Sequence, residues 1–317
     1  MRSTILIAVL SMLGCTMLIA GTSLIAKALG SGTFGVTIHP LMVSQARFVF
    51  GFLAVALVLC LRLASGRKAW AQAPDTPRPN WGRHALRTLL GWIGGGLMFA
   101  AAAQLPLADV NALSFTSPVA TMFFAMLLLG ERVGPWRWGA AIIAMLGALV
   151  LLRPGAGVIQ PAALLAVGAA VAMGIEAIVI KRLAISEPPG RTMLINNAMG
   201  AVLSSVVALT VFVWPQGVSV WAGLIGMGVV MVTAQILLLG ANRLVDASFV
   251  APFFYLTLVW AAVYDIVFFD VWPDAVSLTG AAIVITGGLV MTWREVVNGR
   301  RAARAAVATP VAVQALR

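Results

Sequence analysis

Ten apolar runs follow one another along this chain with little between them, over about 5–28, 41–63, 85–105, 107–130, 135–152, 161–181, 192–214, 218–241, 247–269 and 276–293. A helix that crosses a bilayer needs about 20 mostly apolar residues, and helix–helix connections are often 2–8 residues long. The 317 residues are therefore divided almost wholly into spans. Turn and breaker residues separate them, among them His39-Pro40, Pro106, Gly134-Pro135, Pro188-Pro189-Gly190 and Pro273-Asp274. Trp81, Trp136, Trp138, Trp214, Trp221, Trp272 and Trp293 stand at run ends, where an interfacial aromatic belt places them. The one long polar connection, about 64–84, reads as a solvated loop and not as a second domain.

Composition narrows the function classes. Hydrophobic residues make up 61%, charged residues 10%, and the mean hydropathy is +1.01. Disorder requires the opposite composition, and so few charges cannot cover a water-facing enzyme surface. A net charge of +11 would suit nucleic acid. The Lys and Arg residues, however, fall between the runs and at the C-terminus, with no basic face on a soluble unit, so no nucleic-acid partner is expected. Cys15 and Cys60 lie inside apolar runs, and His39 and His84 sit in separate connections, so neither a disulfide framework nor a metal site is expected. Arg2 with the first run is too long for a secretory signal and reads as an uncleaved first helix.

With the N-terminus inside, 18 of the 21 basic residues fall on the inner side, leaving Lys27, Arg47 and Arg153 outside. The positive-inside rule then puts both termini in the cytoplasm, with Arg87 among the inner-loop charges. The expected location is a bacterial inner membrane, crossed many times.

The chain repeats itself. Gly139 to Arg153 and Gly280 to Arg294 are identical at six of fifteen positions. Upstream of each lie Leu-x-Asp (Leu107–Asp109, Leu244–Asp246), a proline (Pro118, Pro252) and an acidic residue near a helix end (Glu131, Asp270). Each copy holds five spans, and an odd number inverts the second copy. Inverted repeats with a midplane site between them mark many secondary transporters. The expected division is 1–153, 154–294 and a cytosolic tail, 295–317, with no evident fold but room for a short helix. The fold class is an all-α integral membrane protein of ten transmembrane helices in two inverted five-helix repeats.

Leu107-Ala-Asp-Val-Asn-Ala-Leu-Ser-Phe-Thr-Ser-Pro118, Leu129-Gly-Glu-Arg132 and Trp138-Gly-Ala-Ala-Ile-Ile resemble the EamA repeat of the drug/metabolite transporter superfamily. Ala251-Pro-Phe-Phe-Tyr-Leu through Phe269-Asp270 resembles its second copy, with Asp270 standing where the family usually has Gly-Glu. Arg47 and Lys181-Arg182-Leu183 also match. The resemblance spans about 5–294 and implies a ten-helix carrier working by alternating access. It implies no one substrate: members are similar to amino-acid and metabolite exporters, the type favoured here, and some to importers of riboflavin or S-adenosylmethionine. A lipid-precursor flippase on the same fold is a further alternative.

Polar and aromatic groups deep in the runs are the candidate path lining. In the ninth run Phe253, Thr257, Trp260 and Tyr264 share one helical face, a cavity wall or a packing stripe. Trp92 of the third run, Asn111 and Ser114 of the fourth and Gln235 of the eighth complete the set; each polar member otherwise bridges helices. Pro118 frees a carbonyl one turn earlier, whereas Pro252, early in its run, costs less. The alanines at 140, 144 and 148 suit close helix approach and a scaffold role. Among ionisable residues, Glu176 is the deepest acidic group, and Asp265, within about a turn of the outer end of its helix, is the next candidate. A carboxylate at such depth suits a proton relay; the alternative for Glu176 is a structural pair with Lys181 or Arg182. No paired catalytic carboxylates, His cluster or phosphate loop is present, so no enzyme activity and no cofactor are expected. The expected partners are a small-molecule substrate, the lipid bilayer and coupling protons, with room left for a homodimer.

Overall fold

The structure is a computed structural model that describes residues 2–31, 33, 36–65, 78–102, 104–105, 107–155, 160–270 and 272–314. The predicted breaker Pro106 and most of the polar loop lie outside them. Helices run in the order α1 (Arg2–Gly30), α2 (Pro40–Ala64), α3 (Trp81–Ala102), α4 (Leu107–Ser114), α5 (Ser117–Leu129), α6 (Pro135–Leu152), α7 (Ala163–Ser186), α8 (Pro189–Ala208), α9 (Val218–Leu244), α10 (Ala247–Val250), α11 (Leu256–Phe269) and α12 (Ala275–Gln314). Nine membrane-long apolar helical stretches occur among the described residues, with α4–α5 and α10–α11 each forming one. The tenth span is α3, whose apolar pattern is diluted by Arg83, His84 and Arg87. The protein is a multi-pass membrane protein, with ten spans among the described residues when α3 is counted. The backbone of α12 continues to Gln314, so helix runs on into the tail, where a short helix is one expectation.

The helix packing obeys the two-fold relation of the repeats. α1 packs on α9 as α7 packs on α3, α2 packs on α9 as α8 packs on α3, and α5 packs on α7 as α11 packs on α1. The self-related pairs are α2 with α8 and α6 with α12. Buried positions are rich in alanine, while Leu57, Leu127, Leu164 and Val218 are exposed along the sides, as a lipid-facing surface requires. α6 and α12 touch backbone to backbone. A Cβ on Gly147 would lie 2.6 Å from the Val284 N, and one on Gly280 would lie 2.8 Å from the Leu151 N. Ala140, Ala144 and Ala148 are buried on the same face of α6.

Helix ends follow their residues. Pro40 opens α2 behind His39, whose Nδ1 accepts from the Leu41 N–H at 3.2 Å. Gly130 ends α5 in the left-handed region at φ 67°, and Asp270 ends α11 there at φ 54°. Asp270 thus takes the place of Gly130, not of Glu131, in the second repeat; a short polar side chain tolerates that conformation. Trp272 Nε1 donates to it at 3.1 Å.

The two proline-bearing spans are both broken. The chain leaves the helix at Phe115–Thr116, before Pro118, and follows a 3-10 path over Ala251–Tyr255, around Pro252. Pro252 therefore interrupts its span as Pro118 does, and is not an inexpensive early-turn proline. The breaks meet: Phe115 stacks on Tyr255 with centroids 5.9 Å apart and planes 26° apart. Hydroxyls occupy carbonyls beside them, Thr121 Oγ1 donating to the Ser117 O at 2.9 Å and Thr257 Oγ1 to the Phe254 O at 2.6 Å.

Candidate functional site

Four helices bring charge and polarity together inside the bundle. Glu176 lies ten residues from the end of α7, roughly 15 Å by helical rise and so near mid-membrane depth. Arg87 of α3 places its Nε 4.0 Å from Glu176 Oε1, and Arg87 NH2 faces Gln235 Oε1 of α9 at 3.5 Å. Arg47, seven residues into α2, is near enough to act electrostatically on both Glu176 and Arg87. Gly91 follows Arg87 by one turn and leaves room for the carboxylate: a Cβ there would lie 3.4 Å from Glu176 Oε1.

The group carries more donors than the protein answers. Arg47 Nε, Arg87 Nε and Arg87 NH1 are buried and have no hydrogen-bond partner among the described residues; Trp92 Nε1, one residue beyond Gly91 on α3, is likewise buried and unpartnered. Two guanidinium groups face one carboxylate, so the cluster has an excess of positive charge and of N–H groups. Buried donors left unanswered cost about 1–3 kcal/mol each. A solute that presents acceptors would recover that cost.

Neither predicted structural partner of Glu176 is beside it. Lys181 and Arg182 lie roughly 140° and 240° further round α7. Lys181 Nζ donates to the carbonyls of Asn242 and Val245, and Arg182 NH2 donates to the Leu128 O at 2.7 Å. Both cap helix C-termini, α9 and α5. Arg87, expected as an inner-loop charge, is instead the buried partner. His84, expected in a connection, lies in the first turn of α3 and is buried.

The remaining candidates are dispersed. The Ser114 hydroxyl donates to the Asn111 O at 2.8 Å. Trp260 packs with the cluster that includes Phe249, Phe253 and Tyr255. Tyr264 donates to the Met17 O of α1 at 3.0 Å and its ring lies 6.0 Å from that of Phe268. Asp265 pairs with Lys27 at 3.3 Å, both well exposed. Of the nine predicted residues, Glu176 and Gln235 are joined directly through Arg87, and Trp92 lies one residue beyond Gly91.

Two clasps flank one end of the bundle. Glu131 accepts from the N–H groups of Ala247 at 2.9 Å and Ser248 at 3.0 Å, and from the Ser248 hydroxyl at 2.6 Å, so the first repeat caps α10 of the second. Arg137 donates to Asp246 and Ser248, both at 2.8 Å, and pairs with Glu295 at 2.8 Å. In the other clasp the buried Glu187 accepts from the Asn80 N–H at 2.9 Å, from Arg191 Nε at 3.0 Å, and meets His84 Nε2 at 3.2 Å. Burial alone would raise the Glu187 carboxyl; the Asn80 N–H, His84 and Arg191 together hold it below the usual carboxylate range.

A model of the EamA-like transporter family matches residues 6–153 and 160–293. The chain is similar to the riboflavin transporter of Vibrio cholerae, 32% identical over 222 residues, 70% of this chain and 74% of that one. It is 29% identical over 212 residues to the S-adenosylmethionine uptake transporter of Rickettsia felis, 67% of this chain and 72% of that one. It is 27% identical over 202 residues to the pseudopaline exporter of Pseudomonas aeruginosa, 61% of this chain and 69% of that one. A solved crystal structure has the same fold, with a TM-score of 0.70 and 22% identity over 92% of this chain and 98% of that one.

Proposed function

The chain belongs to the EamA-like transporter family, and from that premise we propose that it is a secondary carrier for a small, acceptor-rich organic metabolite, with Arg47, Arg87, Trp92, Glu176 and Gln235 lining the substrate position. The observation that carries this reading is the set of unanswered buried donors around Glu176. A pure scaffold gains nothing from two guanidinium groups at membrane depth, each costing about 2.5–3.5 kcal/mol on insertion scales. Riboflavin and S-adenosylmethionine, named for the relatives, both present such acceptors. The broken spans that meet at Phe115 and Tyr255 suit alternating access, because interrupted helices are where one repeat can rock against the other.

Glu176 is the coupling carboxylate in this reading. It faces Arg87, so gaining or losing a proton changes the charge presented to the solute. Asp265, exposed and paired with Lys27, is not in that position. A carrier without its own energy source runs with the gradients, so the direction of net transport follows from them and from the coupling. Both termini face the cytoplasm of a bacterial inner membrane; reporter fusions after residues 72 and 305 should both report cytoplasm, and a periplasmic signal from either would overturn the orientation.

The test of function is uptake by proteoliposomes holding the purified protein. Saturable accumulation of riboflavin or S-adenosylmethionine above protein-free vesicles supports the reading. Flux indistinguishable from leak, for both solutes and for a pool of small metabolites, would overturn it.

A further inference from the structure

A second basic site lies away from the Glu176 cluster, where α6 begins and the membrane-spanning part of α12 ends. A cavity of about 240 Å³ is lined there by Arg132, Trp136, Arg137, Met291, Arg294 and Glu295, with Gly134. The Arg294 guanidinium carbon lies over Trp136, 3.5 Å from the ring centroid, and 4.8 Å from that of Trp293. Its Nε is buried without a hydrogen-bond partner. Arg137 is already committed to Glu295 and Asp246, so it adds no net charge. Arg132 is exposed at the rim. The cavity thus offers two positive groups beyond those its own carboxylate answers, one of them held rigidly by an aromatic face.

Trp136 and Trp293 are exposed on the outside of the bundle, at the ends of membrane-crossing segments. Aromatic residues so placed mark the headgroup level of a bilayer. In the sequence Arg300, Arg301 and Arg304 follow within ten residues of Arg294. Basic cavities between helices at that level, with basic residues just beyond, match the phosphate of an anionic lipid headgroup. Guanidinium suits it best, since its N–H groups pair with two phosphate oxygens at once.

We propose that this cavity binds the phosphodiester headgroup of an anionic phospholipid, with Arg294 and Arg132 as its contacts. Arg137 connects the site to the Glu131 clasp, because the same guanidinium that lines the cavity bonds Asp246 and Ser248 at the start of the broken span α10–α11. A headgroup seated on Arg294 therefore lies beside the ion pair that ties the repeats together. This inference stands independently of the substrate reading.

The test is native mass spectrometry of the purified protein after exchange into phosphatidylglycerol or phosphatidylcholine, compared with the Arg132→Gln/Arg294→Gln variant. Phosphatidylglycerol adducts should persist on the wild type at collision energies that strip phosphatidylcholine. The double variant should lose that preference, by roughly fivefold for each arginine removed. Retained secondary structure by circular dichroism, and partial rescue by Arg294→Lys, separate loss of the site from loss of the fold. Equal retention of the two lipids, or a preference unchanged in the folded double variant, would overturn the site. Full competition by millimolar glycerol 3-phosphate with no preference for the lipid would assign the cavity to soluble phosphate esters and overturn the lipid assignment.

Discussion

Arg87 of α3 and Glu176 of α7 face one another across a helix interface at 4.0 Å, and the carboxylate leaves most of the guanidinium's N–H groups unanswered. A closed structural pair would use both partners fully; a buried ion pair stabilises only when its remaining donors and acceptors are satisfied. The open geometry is what a site built to receive something else requires.

Glu176→Gln removes the titrating group and preserves shape. It should abolish accumulation driven by a pH gradient while leaving solute exchange within about threefold of wild type, under 1 kcal/mol. Uptake with and without a proton gradient checks this. Undiminished pH-driven accumulation by a well-folded variant removes Glu176 from coupling.

Arg87→Lys keeps the charge and loses the fork. Lysine offers one compact ammonium where Arg87 reaches both Glu176 and Gln235. Exchange should fall about tenfold or more, equivalent to at least ~1.4 kcal/mol, with protein level retained. Wild-type kinetics in this variant would show that only charge is needed there.

Gly147→Val should act on stability alone. The added Cβ would meet the Val284 N at 2.6 Å and the Gly280 O at 2.8 Å, and two backbones cannot both yield. Overpacking of this kind costs about 1–3 kcal/mol. The melting temperature in detergent should drop, while the same change at Gly139, which has open space around it, should leave it close to wild type.

The Glu187 clasp predicts a pH dependence with a definite sign. Its carboxyl is held below the ordinary value of about 4.3. The stability it contributes is therefore fully present above that value and is lost as pH falls through the lowered one. Glu187→Gln should melt lower than wild type at pH 7, by an amount reflecting about 1.5–3 kcal/mol for the charged hydrogen bonds. The gap should narrow as the pH is lowered, and a gap that widens on acidification would contradict the assignment.

The sequence made the ten spans legible because lipid imposes a length and a composition that few residues can disguise. It obscured the start of one: Arg83, His84 and Arg87 lower the apolar signal of α3, so its first turn reads as loop and Arg87 as an inner-face charge. The available signal was spacing, since Trp81 marks the interface and Arg87, six residues further, is already inside. Glu176 was found because depth alone makes a carboxylate conspicuous. Its partner was not, because residues 89 positions apart meet only through the packing of α3 on α7. Periodicity placed Trp260 and Tyr264 on one face without saying what that face meets. The Asp270 cap was obscured because aligning acidic residues pairs it with Glu131, whereas backbone conformation pairs it with Gly130.

The most direct test of the account is exchange of radiolabelled riboflavin or S-adenosylmethionine, whichever the wild type carries, across proteoliposomes holding folded Arg87→Gln. Exchange needs neither a gradient nor coupling, so it reports on the substrate position alone. Flux from Arg87→Gln should match that of protein-free vesicles, with clear exchange from wild type. Wild-type exchange by the folded variant would contradict it and move the substrate position elsewhere in the bundle.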